Sequence, residues 1–170
     1  MEVYLASAAG LLSWCGKWRK IPTPLAHPTL LAACGADVAL ADSVNRLLYR
    51  QGRVSTLPPG VEVLRCWRNQ LLTLSSETNC LTLYDAHDYP LVTSPAGIRP
   101  CGCAVVDCQV IVCGCEDGCL HIFSLPDLRE IAVYPVPGCP MRVAADGGVL
   151  TCLSLLSLSL IHISEPTRQA

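Results

Sequence analysis

Cysteine is the residue type in this chain with the most chemistry on offer. Twelve of the 170 residues are cysteine. Cys101, Cys103, Cys108, Cys113 and Cys115 fall close together, and Cys15, Cys34, Cys66, Cys80, Cys119, Cys139 and Cys152 are spread along the rest. Thiolates at close quarters bind zinc or another soft metal with four tetrahedral sulfur ligands, and Cys101-Gly102-Cys103, Cys108 and Cys113-Gly114-Cys115 hold enough sulfur for it. Their spacing is nevertheless not the paired C-x-x-C of a zinc ribbon. In a strand, a C-x-C pair puts both sulfurs on one face. Cys80 and Cys119 recur 39 residues apart, as do Cys113 and Cys152. Recurrence in equivalent places suits small buried apolar side chains better than ligands. Packing is therefore the expected role, ahead of metal binding and redox chemistry, and no metal ligand or cofactor is assigned.

The remaining chemistry is sparse. There is no Gly-x-Ser-x-Gly, no defensible Cys–His pairing and no glycine-rich phosphate loop, so no catalytic residue is assigned. Asp85-x-His87-Asp88 could chelate a cation but reads as a polar turn. His121, between Leu120 and Ile122, reads as a structural histidine facing a neighbouring sheet. Trp14 and Trp18 flank a basic stretch, Lys17 to Lys20, which reads as a solvated loop with Trp14 buried.

These residues sit on a repeated unit. Its clearest copy is 110–144, VIVCGCEDGCLHIFSLPDLREIAVYPVPGCPMRVA. It reads as strands over 110–113, 119–123, 130–134 and 141–145, with a tight turn at 114–118 and a break at Gly138-Cys139-Pro140. The unit before it has strands over 71–74, 80–84, 90–93 and 101–106; the one before that, over 38–40, 46–50, 53–57 and 63–67. A weaker first copy has strands at 3–5, 11–15 and 30–34. The last turn residue before each returning strand is Gly10, Asn45, Asn79 or Gly118, at intervals of 35, 34 and 39 residues. Glycine and asparagine tolerate the positive φ that a tight hairpin needs. Leu12, Leu47, Leu81 and Leu120 follow two positions later, and Pro28, Pro100 and Pro140 recur where a strand ends at a crossover and no ladder donor is needed.

Four short strands per unit, at a period near 35–40 residues, are expected of a β-propeller blade. A β-sandwich with hairpins of similar length is the alternative, but the joint recurrence of turn, leucine and proline positions favours the propeller. Apolar runs such as 110–113 fit strands covered on both faces by neighbouring blades. The segments EDGCLHIFSLPDLREIAVYPVPGCPMRVA and ETNCLTLYDAHDYPLVTSPAGIRPCGCAV resemble blades of the YVTN/WD40-like propeller families. The resemblance covers roughly 3–153. No Trp-Asp pair closes a strand and no Gly-His pair opens a unit, so it is a resemblance of architecture.

The expected fold is thus all-β: a propeller fragment of about four four-stranded blades (1–34, 35–67, 68–106 and 107–145) with the start of a fifth (146–154), forming an open arc. The segment LSLIHISEPTR at 158–168 resembles the translation of a sequencing adapter, so 155–170 is expected to be an artefactual, unstructured tail and the chain a truncated fragment. Such an arc leaves blade edges open for self-association.

Composition narrows the function. Charged residues are 15% and hydrophobic residues 51%, and the net charge is −2. Arginine and lysine are scattered, which argues against a nucleic-acid partner. No apolar run reaches the ~18–20 residues of a membrane helix, so no membrane partner is expected. Met1-Glu2-Val3-Tyr4 lacks the basic region of a secretory signal, so a cytoplasmic location with reduced thiols is expected. The expected function is a non-enzymatic scaffold that binds a protein or peptide on its channel face. The resemblance implies one alternative, a lactonase-like or other hydrolytic propeller. His27 and Arg99 each precede a recurrent proline and Arg142 follows one by two residues; these three are the expected polar rim of the channel.

Overall fold

A computed structural model describes residues 3–7, 10–34, 37–146, 149–155 and 163–164. The described strands assemble into five antiparallel sheets that follow one another in sequence. The first holds β1 (Val3–Ser7), β2 (Gly10–Trp14) and β3 (Trp18–Ile21). The second holds β4 (Leu30–Cys34), β5 (Asp37–Asp42), β6 (Leu47–Arg50) and β7 (Arg53–Thr56). The third holds β8 (Val61–Trp67), β9 (Gln70–Ser75), β10 (Cys80–Tyr84) and β11 (Pro90–Pro95). The fourth holds β12 (Pro100–Val106), β13 (Gln109–Gly114), β14 (Cys119–Ser124) and β15 (Glu130–Pro135). The fifth holds β16 (Pro140–Asp146), β17 (Val149–Ser154) and β18 (Ile163–Ser164). Each sheet is a propeller blade, and together the blades form an open arc. No described helix is long and apolar enough to cross a membrane.

Each blade is an up-and-down meander, and its burial falls from the middle strands outward. Leu71 to Ser75 of β9 are all buried, as are Leu81 to Tyr84 of β10, whereas β11 and β15 are largely exposed. A strand covered on both faces needs apolar residues at every position, which is why the middle strands read as continuous apolar runs. The blades stack through these residues. Trp67, Leu72, Leu74, Leu81, Leu83, Val110, Val112 and Phe123 form the core between the third and fourth blades.

The turns follow the expected chemistry with one correction. Gly10, Asn79 and Gly118 carry positive φ (112°, 53° and 67°), but in the second blade the left-handed residue is Arg46 (56°) in place of Asn45. Asn45 serves the turn differently: its backbone and side-chain amides both donate to the Asp42 carboxylate, at 2.9 and 2.8 Å. The left-handed conformation therefore passes to the next residue. Arg46, Asn79 and Gly118 are equivalent in their backbone bonding as well. Their carbonyls accept from Leu57, Ala96 and Val136 at 2.8, 2.9 and 2.8 Å, closing the hairpin of each blade's third and fourth strands.

Two further expectations are corrected. Trp14 is 39% exposed because it ends β2 opposite Trp18 of the exposed β3, the two rings 5.2 Å apart. Cys66 is disulfide-bonded, so the chain is not wholly in the thiol state. Of the adapter-like stretch, Ile163 and Ser164 pair with Leu150 and Val149; 158–162 and 165–168 lie outside the described residues.

Candidate binding cleft on the inner strands

The crossovers deliver β4, β8, β12 and β16 side by side as the first strands of four successive blades. Three of them share a device at their entrance. Pairing with the next strand shifts register between Val61 and Val63, between Pro100 and Gly102, and between Pro140 and Arg142. Each shift leaves one extra residue, Glu62, Cys101 or Met141, in a β-bulge. A bulge twists and re-aims a strand at its end, so three equivalent positions at the mouth of the arc are turned out of the ladder. At Gly102 the inner strands approach closely: an added Cβ would lie 2.9 Å from the Met141 carbonyl oxygen.

The four strands border an open cleft of about 110 Å³, lined by Leu30 and Leu31 of β4, Glu62 to Arg65 of β8, Gly102 and Cys103 of β12, and Arg142 and Val143 of β16. Two guanidinium groups are fixed in it by carbonyls across the strand gaps. Arg65 Nε donates to the Cys103 oxygen at 3.2 Å and its Nη1 to the Leu64 oxygen at 2.8 Å. Arg142 Nη1 donates to the oxygens of Cys101 at 2.6 Å and Met141 at 2.9 Å. Glu62, the acid among the lining residues, accepts from Ser76 Oγ at 2.5 Å. Two cations held by main-chain oxygens, beside the one carboxylate of Glu62, form a preorganised anion contact, because guanidinium donors match carboxylate geometry and lose little freedom on binding.

Of the rim expected from sequence, Arg142 lines this cleft, whereas His27 and Arg99 are not among its lining residues. His27 is exposed in the crossover before β4, its backbone amide donating to Asp42 Oδ2 at 3.2 Å. Arg99 is exposed before β12 and its Nη1 pairs with Glu116 Oε1 at 3.1 Å. Arg142 is thus the one of the three that this cleft includes. Arg65 and Glu62 were missed because a charged residue inside a strand otherwise reads as solvent-facing. The repeated register shift, which leaves no mark in residue type, is what places Glu62.

Other polar residues are absorbed by structure. Asp85 Oδ1 accepts from the amides of His87 and Tyr89 at 2.7 and 2.9 Å, and the Tyr89 bond chiefly holds its carboxyl below the usual range. Asp88 Oδ1 pairs with Arg50 Nη1 at 3.4 Å, and Arg50 is 1% exposed. Arg50 Nη2 also donates to the Asn69 carbonyl at 2.8 Å, so one buried guanidinium bolts the second blade to two loops of the third. His121 lies between Glu130 Oε1 (2.7 Å, to Nδ1) and Asp117 Oδ2 (3.0 Å, to Nε2), the satisfied histidine its setting suggested. Among the described residues, no group of three or more His, Cys, Asp or Glu side chains is arranged to hold a metal ion.

The cysteines divide by environment. Cys101, Cys113 and Cys152 are buried between the fourth and fifth blades, and Cys103 between the third and fourth. Burial pushes the Cys101 thiol up to about 12 and that of Cys103 to about 11, and raises Cys113 and Cys152 as well. A thiol that does not ionise is a poor nucleophile and behaves as an apolar filler. Cys80 and Cys119 are equivalent too, but half-buried. Their sulfurs donate to the Thr78 and Asp117 carbonyls at 3.2 and 3.4 Å and so serve the turns.

Comparison with known proteins places the fold alone. No family model matches the chain, and no curated protein does. Among solved structures, the chain is similar to a functionally unknown protein from Desulfotomaculum acetoxidans DSM 771 (TM-score 0.76, 12% identity, 96% of this chain and 65% of that one). It is also similar to BBS1N, solved in complex with ARL6DN (TM-score 0.73, 11% identity, 98% of this chain and 57% of that one). A third is the computationally designed Ika4 protein (TM-score 0.68, 10% identity, 81% of this chain and 90% of that one). The chain thus spans between about half and two thirds of the two natural proteins.

Proposed function

We propose that this chain is a non-enzymatic propeller module that binds a protein or peptide segment bearing acidic side chains in the cleft between β4, β8, β12 and β16. The observation that carries this reading is the pair of carbonyl-anchored guanidiniums, Arg65 and Arg142, among the residues lining that cleft. An extended acidic segment gains charge-assisted hydrogen bonds from them and apolar contact from Leu30, Leu31 and Val143. A hydrolytic propeller would need convergent acids or histidines in the same place, and Glu62 is the acid among the lining residues. The likeness to BBS1N, a propeller-like protein solved with a protein partner, is consistent with a binding role at the level of fold.

The test is fluorescence anisotropy of the full chain with labelled peptides of equal length carrying acidic, neutral or basic side chains. The acidic peptide binds preferentially, and the preference falls with added salt as expected for partly exposed charge pairs. Arg142→Gln and Arg65→Gln each weaken binding about tenfold or more, the scale of a lost charge-assisted bond. Equal binding of all three peptides contradicts the reading.

A further inference from the structure

Ten described cysteines are free thiols, and two of them stand apart from the rest. The sulfurs of Cys115 and Cys139 are 2.8 Å apart. That is well inside ordinary contact between two sulfurs, and only the closure to the bonded separation of about 2.0 Å remains. Cys115 opens the turn between β13 and β14, while Cys139 lies in the crossover that enters β16. Cys139 Sγ also lies 3.1 Å from the Cys115 carbonyl, so the two loops are already in register. Met141 covers the pair, its sulfur 3.5 Å from Cys115 Sγ and 3.9 Å from Cys139 Sγ.

Three features distinguish this pair. Both thiols are partly exposed, whereas Cys101, Cys103, Cys113 and Cys152 are buried. The chief influence on the Cys139 thiol is its hydrogen bond to Cys115, which raises it and marks the two sulfurs as each other's partner, while the Arg99 guanidinium acts in the opposite sense. The competing neighbour, Cys101, directs its thiol to the carbonyls of Pro140 and Met141, each at 3.3 Å. Cys108, by contrast, is an exposed free thiol.

We propose that Cys115 and Cys139 are a dithiol redox site that closes by exchange with a low-molecular-weight disulfide such as oxidised glutathione. The thiolate of one cysteine attacks a sulfur of the small disulfide. The S–S bond of the small molecule breaks, and one of its thiolates leaves and takes up a proton. The other protein cysteine loses its proton and attacks the mixed disulfide, releasing the second small thiol. Two protein thiols are oxidised and one small disulfide is reduced to two thiols. The product ties the β13–β14 turn of the fourth blade to the crossover into the fifth. It does not depend on the peptide-binding reading.

The experiment incubates the reduced full chain with defined ratios of oxidised to reduced glutathione, then alkylates it and maps peptides by mass spectrometry. A Cys115–Cys139 linked peptide forms at ratios that leave Cys108 as thiol or mixed disulfide. In Cys139→Ser, Cys115 is trapped as a stable glutathione adduct, and in Cys115→Ser the adduct moves to Cys139. Far-ultraviolet circular dichroism confirms that the variants retain their sheet. The proposal is overturned if the two thiols stay alkylatable at the same ratios as Cys108, or if the linked peptide joins Cys101 to either of them.

Discussion

The interface between the third and fourth blades differs from that between the first and second in what fills it. The former buries Trp67, Leu72, Leu74, Leu81, Leu83, Val110, Val112 and Phe123 in one continuous cluster, tied by the Trp67 indole donating to the Asp107 carbonyl at 2.7 Å. The latter has Leu11, Leu25 and Leu40 as its fully buried members, with half-buried Tyr4, Ala6 and Ile21 around them. A blade cannot bury its faces alone, so its stability is largely that of its interfaces with its neighbours. The central blades should therefore be the most persistent part of the arc, and the first blade the first to open.

Phe123→Ala strikes the central interface hardest. Phe123 is 0% exposed, and its removal costs about 3–5 kcal/mol by urea unfolding, since a full interface cannot collapse around the cavity. Arg50→Ala comes next, at about 3 kcal/mol, because it strands the Asp88 carboxylate in a buried setting. The double change Arg50→Met with Asp88→Asn recovers most of that loss, since asparagine suits the positive φ at position 88, and this separates a stranded charge from lost packing. Leu11→Ala costs about 2 kcal/mol, the low end for leucine, because the small first interface relaxes more freely. Equal losses for Phe123→Ala and Leu11→Ala would break the contrast.

The smallest effect is a pH dependence at the edge of the second blade. The bonds from the Asn45 side chain and amide hold the Asp42 carboxyl below its ordinary value of 3.8. A depressed carboxyl stabilises the fold above its unfolded-state value and loses that contribution as pH falls through the folded one. Acid unfolding of Asp42→Asn should therefore show a shallower loss of stability below about pH 4 than the parent chain. An unchanged acid limb would assign the effect to other carboxylates.

The blade pattern was legible because its signals are local. Gly10, Asn79 and Gly118 show their conformation in their residue type, and the apolar runs of β9 and β13 announce strands covered on both faces. The turn at Asn45 misled because Asn is suited both to positive φ and to bonding a neighbouring carboxylate, and there it does the second. Offset by one strand, the sheets pair β4 with β5 and β8 with β9, so each crossover strand belongs to the following blade. The cleft was hardly legible. Its arginines are fixed by carbonyls of neighbouring blades, such as that of Cys103, 38 residues from Arg65, and such bonds leave no trace in residue type. The same holds for Cys115 and Cys139, which belong to different loops and meet only when two blades stack.

The most direct test of the proposed cleft is amide hydrogen exchange of the full chain with and without a bound acidic peptide. Added protection should fall on 30–31, 62–65, 102–103 and 142–143, the segments that line the cleft, and should be lost in Arg142→Gln. Protection confined to the outer strands β7, β11 and β15, or none on the inner strands, would contradict the account.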